Sequence, residues 1–77
     1  MTKTETLVRG LLASNYTEVK TASKRYRCFK RDDLAEGVFM WVGSSGALRR
    51  GRRTTDAMSL TNTVRYRELL DAGRRAA

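Results

Sequence analysis

The sequence predicts an α+β fold: a small antiparallel sheet of three or four strands flanked by an N-terminal and a C-terminal helix. Three observations carry that expectation. Apolar residues recur at helical spacing near both ends of the chain, the centre loses that period and becomes rich in β-formers, and glycines separate the apolar runs.

At the N-terminus, Thr2 followed by Glu5 fits a capping box, in which each residue satisfies an amide of the first turn. Leu7, Val8, Leu11 and Leu12 then form one apolar stripe, and Ser14-Asn15 reads as a stop. A helix is expected over residues 3–14. Gly10 weakens it by roughly 1 kcal/mol against Ala, unless the glycine serves a close packing.

From Tyr16 the helical period disappears. Tyr16-Thr17-Glu18-Val19-Lys20 predicts a strand over 16–20, and Lys24 to Arg31 a second over 24–31. In an extended chain Lys24, Tyr26, Cys28 and Lys30 share one face, whereas Arg25, Arg27, Phe29 and Arg31 share the other. Asp32-Asp33-Leu34-Ala35-Glu36-Gly37 reads as an acidic connection. Val38-Phe39-Met40-Trp41-Val42 predicts a strand over 38–42 with two apolar faces. Such a strand is central, and is either covered on both sides or covered on one and carries an aromatic functional face on the other. Gly43-Ser44-Ser45-Gly46 is a tight-turn signal, and the chain returns over 47–52 as the next strand. Gly51 within that return marks a bulge or a close backbone approach.

Arg53 to Ser59 reads as irregular. Ser59 or Thr61 is placed to cap a final helix over 61–72, with Tyr66, Leu69 and Leu70 on its apolar side, Leu60 and Val64 at the edge and Gly73 as its stop. The tail 74–77 is expected to fray.

The 77 residues form a single small basic domain with a thin core, a size at which homodimerisation is a common source of stability. The longest apolar run, Val38 to Val42, is far below the length of a membrane span. The opening Met1-Thr2-Lys3-Thr4-Glu5 lacks the basic-then-apolar plan of a signal peptide. The protein is therefore expected in the cytoplasm, at the nucleoid if DNA is its partner, with no membrane association; a nuclear location stays open.

Residue types narrow the chemistry. The chain has no His and one Cys, which excludes imidazole general-base catalysis, a Cys-His or Ser-His nucleophile and an ordinary zinc site. Asp32, Asp33 and Glu36 lack the ligand spacing of a calcium loop, and no phosphate-binding glycine loop or dinucleotide fingerprint is present. No metal and no cofactor is expected. Charge stabilisation of a scissile phosphate by Tyr26, Arg27, Lys30 and Arg52 is the remaining route to catalysis. No spacing selects those residues, so the chain is not expected to be an enzyme.

The charge is the most informative property. Sixteen Lys and Arg stand against eight acids, a net charge of +8, and the isoelectric point is about 10.6. Only Lys3, Lys20, Lys24 and Lys30 are lysines, so twelve of the sixteen cations are arginines, whose planar fork suits phosphate. Two clusters stand out. Lys24, Arg25, Arg27, Lys30 and Arg31 lie on one predicted strand, and Arg49, Arg50, Arg52 and Arg53 flank Gly51 at the end of another. If both strands border Val38–Val42, their cations can converge beside Tyr26, Phe29, Phe39 or Trp41, with Trp41 as a candidate ring for stacking an unpaired base.

Arg50-Gly51-Arg52 resembles the Arg-Gly-Arg centre of an AT-hook, whose arginines lie along the minor groove of A·T-rich DNA. AT-hooks carry prolines beside that centre and this chain has none. The useful content is local, because a glycine lets backbone approach phosphate while its neighbours reach outward.

These residues point to a nucleic-acid-binding or regulatory module, with DNA preferred over RNA because no aromatic ribonucleoprotein motif is present. The alternative is a protein-binding accessory or inhibitor module, of a phage or plasmid kind, whose arginines dock on an acidic partner surface.

Overall fold

The computed structural model describes residues 1–76. In chain order the elements are α1 (Lys3–Ala13), β1 (Thr17–Val19), β2 (Tyr26–Lys30), β3 (Phe39–Gly43), β4 (Leu48–Gly51), β5 (Met58–Ser59) and α2 (Val64–Arg75). The strands form one antiparallel sheet in sequence order, β1-β2-β3-β4-β5. The fold is thus α+β with a helix at each end of the chain, and the sheet has five strands rather than three or four. The additional strand, Met58–Ser59, pairs with Arg50 and Arg49. It lies where irregular chain was expected, because two residues are too few to display a period of two.

The capping box at α1 forms: Glu5 N–H donates to Thr2 Oγ1 at 3.1 Å, and Thr2 N–H donates to Glu5 Oε1 at 3.2 Å. Asn15, at φ 68°, takes the left-handed conformation that ends the helix. Leu7 and Leu11 are fully buried, but Leu12 is 50% exposed and falls outside the stripe.

Helix α2 departs from expectation at both ends. Its cap is Thr63 rather than Ser59 or Thr61, with Tyr66 N–H donating to Thr63 Oγ1 at 3.2 Å, and it runs through Gly73 to Arg75. Gly73 is a packing residue rather than a stop. A Cβ built there would collide with the Thr6 carbonyl oxygen of α1, and one built on Gly10 would collide with the Leu69 carbonyl oxygen of α2. The two helices therefore cross backbone to backbone. Arg74 and Arg75, expected to fray, instead form the last helical turn, where cations suit the helix dipole.

Both helices lie on one side of the sheet. Phe29, Met40, Val42 and Leu48 supply the sheet's half of that core, and Leu7, Leu11, Tyr66 and Leu69 the helices' half. Two side chains fasten the helices to the β3–β4 turn: Tyr66 Oη donates to the Gly46 carbonyl at 2.8 Å, and Thr4 Oγ1 to the Gly43 carbonyl at 2.9 Å. On the other side a smaller cluster of Cys28, Trp41 and Ala57 is bordered by Val19, Tyr26 and Phe39. It contains no helix residue. The outer side of the sheet is thus left to strands and loops.

Candidate nucleic-acid interface

The pleat sorts the predicted cations. Register pairs Cys28 with Trp41, Trp41 with Arg49, and Arg49 with Ser59, so these four share the outer side. Lys30, two residues beyond Cys28, and Phe39, two before Trp41, lie on the same side. Met40 pairs with Arg50, which places Arg50 on the helix side instead. Arg27 and Arg31 follow Phe29 to the helix side as well. The two clusters therefore do not converge as one patch.

The helix-side cations are largely engaged within the chain. Arg27 donates to both Glu18 oxygens at 2.8 and 2.7 Å, and these hydrogen bonds hold the Glu18 carboxyl below the usual range. Arg31 grips Asp33 through two bonds of 2.6 and 2.7 Å, donates to the Ser14 carbonyl at 2.8 Å and lies 4.3 Å over the Tyr16 ring. Arg27 and Arg31 are thus structural ties between β1 and β2 and between β2 and the end of α1.

On the outer side, every charged residue that faces outward from a strand is a cation. Thr17 and Val19 of β1, Tyr26, Cys28 and Lys30 of β2, Phe39 and Trp41 of β3, Arg49 and Gly51 of β4 and Ser59 of β5 include no acid. Lys24 and Arg25 are exposed in the bend just before β2, at one end of the sheet. The loop after β4 brings Arg52 and Arg53 to its other end. Arg52 Nη1 donates to the Glu36 carbonyl at 3.3 Å, and Arg53 pairs with Asp56 at 3.3 Å.

That same loop covers the centre of the face. Trp41 is 8% exposed; its Nε1 donates to the Gly51 carbonyl at 3.0 Å, and Arg49 Nη1 donates to the Thr54 carbonyl at 3.0 Å. Phe39 meets Trp41 edge to face, with centroids 6.0 Å apart. The close approach expected at Gly51 exists, but its occupant is Ala57: a Cβ on Gly51 would lie 2.7 Å from the Ala57 Cα. Trp41 is accordingly a roofed core residue, and the half-buried Tyr26 and Phe39 are the rings at the surface. Burial, reinforced by the Glu18 charge, pushes the Cys28 thiol up to about 11, so it stays protonated at neutral pH.

One grouping has no counterpart in the linear sequence. Arg50 and Arg65, from β4 and α2, line a single cleft of about 200 Å³ together with Asp33, Leu34, Met40 and Leu60. The two arginines share this cleft only because β4, the start of α2 and the β2–β3 connection all border it. No protein-family model matches the chain, and no curated protein or solved structure matches it significantly.

Proposed function

We propose that this domain is a nucleic-acid-binding module, with DNA as the first partner to test, and that it acts through the outer side of its sheet. The observation that supports the reading is the sign of the charge there: Lys30 and Arg49 face outward, Lys24 and Arg25 stand at one end, Arg52 and Arg53 at the other, and only Arg53 has a carboxylate within 4 Å among the described residues. Cations without a carboxylate partner, beside strands whose outward side chains include no acid, attract a polyanion and release its condensed counterions. Tyr26 and Phe39 would add sugar or base contact at the surface. The cations position the strand; nothing on this face reads a particular base, so binding is mainly independent of sequence.

The test is a salt titration of labelled duplex DNA, single-stranded DNA and RNA, with the wild type and a Lys30→Gln/Arg52→Gln/Arg53→Gln variant. For duplex DNA the logarithm of affinity should fall linearly with the logarithm of salt, and each lost phosphate contact should flatten the slope by about 0.9. Absence of binding to all three at low salt overturns the reading. Recovery of an acidic protein on the same cations after nuclease treatment would assign them to protein docking instead.

A further inference from the structure

The cleft between β4, the start of α2 and the β2–β3 connection lies on the helix side, and its chemistry does not depend on the outer face. Its charges can be counted. Asp33, Arg50 and Arg65 line it, and the Asp33 carboxylate is already matched by the two short bonds from Arg31. Neither Arg50 nor Arg65 has a carboxylate within 4 Å among the described residues. The cleft therefore carries two uncompensated positive charges. Arg65 is also within electrostatic reach of its acid, since Asp33 is held below the usual carboxylate range first by the Arg31 hydrogen bond and, more weakly, by the Arg65 charge.

The floor is apolar. Met40 is 1% exposed, and Leu34 and Leu60 are half-buried beside it. A charge bound above such a floor is screened less than one on an open surface. At about 200 Å³, and with liquid water taking about 30 Å³ per molecule, the space holds an anionic head and the first few atoms of its carrier. The rest of a larger ligand would protrude.

We infer that this cleft binds a terminal phosphate: Arg50 and Arg65 hold the phosphomonoester of a small ligand or of a strand end, and Leu34, Met40 and Leu60 receive the carbon skeleton next to it. A phosphomonoester carries roughly −1.5 to −2 at neutral pH, which matches two guanidinium groups. A carboxylate or an internal phosphodiester carries a single charge and would leave one guanidinium uncompensated. Arginine's planar fork also pairs with phosphate oxygens in a bidentate manner.

The probes are adenosine 5′-monophosphate, adenosine and inorganic phosphate, followed by calorimetry or by chemical shifts of the Arg65 and Leu34 amides. The monophosphate should bind and adenosine should not. Arg65→Gln, on an exposed first-turn position where losing a cation does not oppose the helix dipole, should keep the fold and weaken binding by at least about tenfold. Arg50→Gln should do the same, and Arg9→Gln, at an exposed position of α1 outside the cleft lining, should leave affinity unchanged. Tighter binding of a 5′-phosphorylated oligonucleotide than of its 5′-hydroxyl counterpart would identify a strand end as the source; equal binding of the two, with the monophosphate still bound through Arg65, would identify a free phosphomonoester. Equal affinity for monophosphate and adenosine, no binding of millimolar monophosphate, or no difference between Arg65→Gln and Arg9→Gln would overturn the inference. The mononucleotide readouts do not depend on the outer-face cations, and the two oligonucleotides differ only in the terminal phosphate, so failure of one proposal is separable from failure of the other.

Discussion

Gly51 is where the chain leaves the sheet and turns back across it. A Cβ on it would lie 2.7 Å from the Ala57 Cα and 3.0 Å from its Cβ, closer than non-bonded carbons approach. Its carbonyl receives the Trp41 indole N–H, so the loop that begins there is also the roof over the ring. Gly51→Ala should lift this roof. The expected loss is about 1–3 kcal/mol, the usual range for overpacking, together with a red shift of the emission of the only tryptophan in the chain. An unchanged melting temperature with unchanged emission would show that Ala57 moves aside at no cost. The same residue shows how much of the site could be read in the sequence. A glycine between arginines announced a bulge or a close approach, and a close approach occurs. Its occupant depends on a return of the chain through Ala57, for which the sequence has no local signal. Likewise the alternation from Lys24 to Arg31 already divided its cations between two faces, whereas the sharing of one cleft by Arg50 and Arg65 required the tertiary fold.

The helix pair makes a sharper case at the level of elements. Intrinsic propensity says that replacing Gly10 or Gly73 by Ala should stabilise α1 or α2 by about 1 kcal/mol. Packing says the opposite, since either Cβ would enter the carbonyl of the facing helix, and backbone cannot yield as a flexible side chain can. Gly73→Ala is therefore expected to destabilise by about 2–3 kcal/mol or more, a fall of roughly 10–20 °C in melting temperature for a domain of this size. A thermal melt distinguishes the two effects by sign: a rise would mean that the helices separate freely and propensity wins. Elements with a sustained period were legible, namely α1 through Leu7, Val8 and Leu11 and β3 through its apolar run. Where period was absent or tertiary contact overrode it, the boundaries moved. Gly73 looked like a stop because glycine usually ends helices, and it continues this one because α1 needs the space. Met58–Ser59 looked irregular because pairing with Arg49 and Arg50, rather than side-chain pattern, makes it a strand.

For the whole molecule, the balance is between a net charge of +8 and a fold with a Cα radius of gyration of 11.2 Å. The Debye length is about 30 Å at 0.01 M salt and about 8 Å at 0.15 M, so every cation feels the others at low salt and mainly its neighbours at physiological salt. Among the described residues four ion pairs, Arg27–Glu18, Arg31–Asp33, Arg53–Asp56 and Arg74–Asp71, offset part of this repulsion. Acid removes that offset. The Glu5 carboxyl is held low by the Thr2 amide, Glu18 by Arg27 and Asp33 by Arg31. A carboxyl with a depressed folded pKa contributes stability above its unfolded value, roughly 4, and that contribution is lost as pH falls through the folded value. Neutralising all eight acids also takes the net charge from +8 to +16, since sixteen cations remain. Stability should therefore be nearly flat from pH 7 to about 5 and fall steeply below about 4. Added sodium chloride should raise the melting temperature at neutral pH and raise it more in acid, where the repulsion is greater. Melting curves over a grid of pH and salt measure both slopes. A melting temperature that falls with added salt at neutral pH would mean that the ion pairs, weakened by screening, govern this fold more than the repulsion among its arginines.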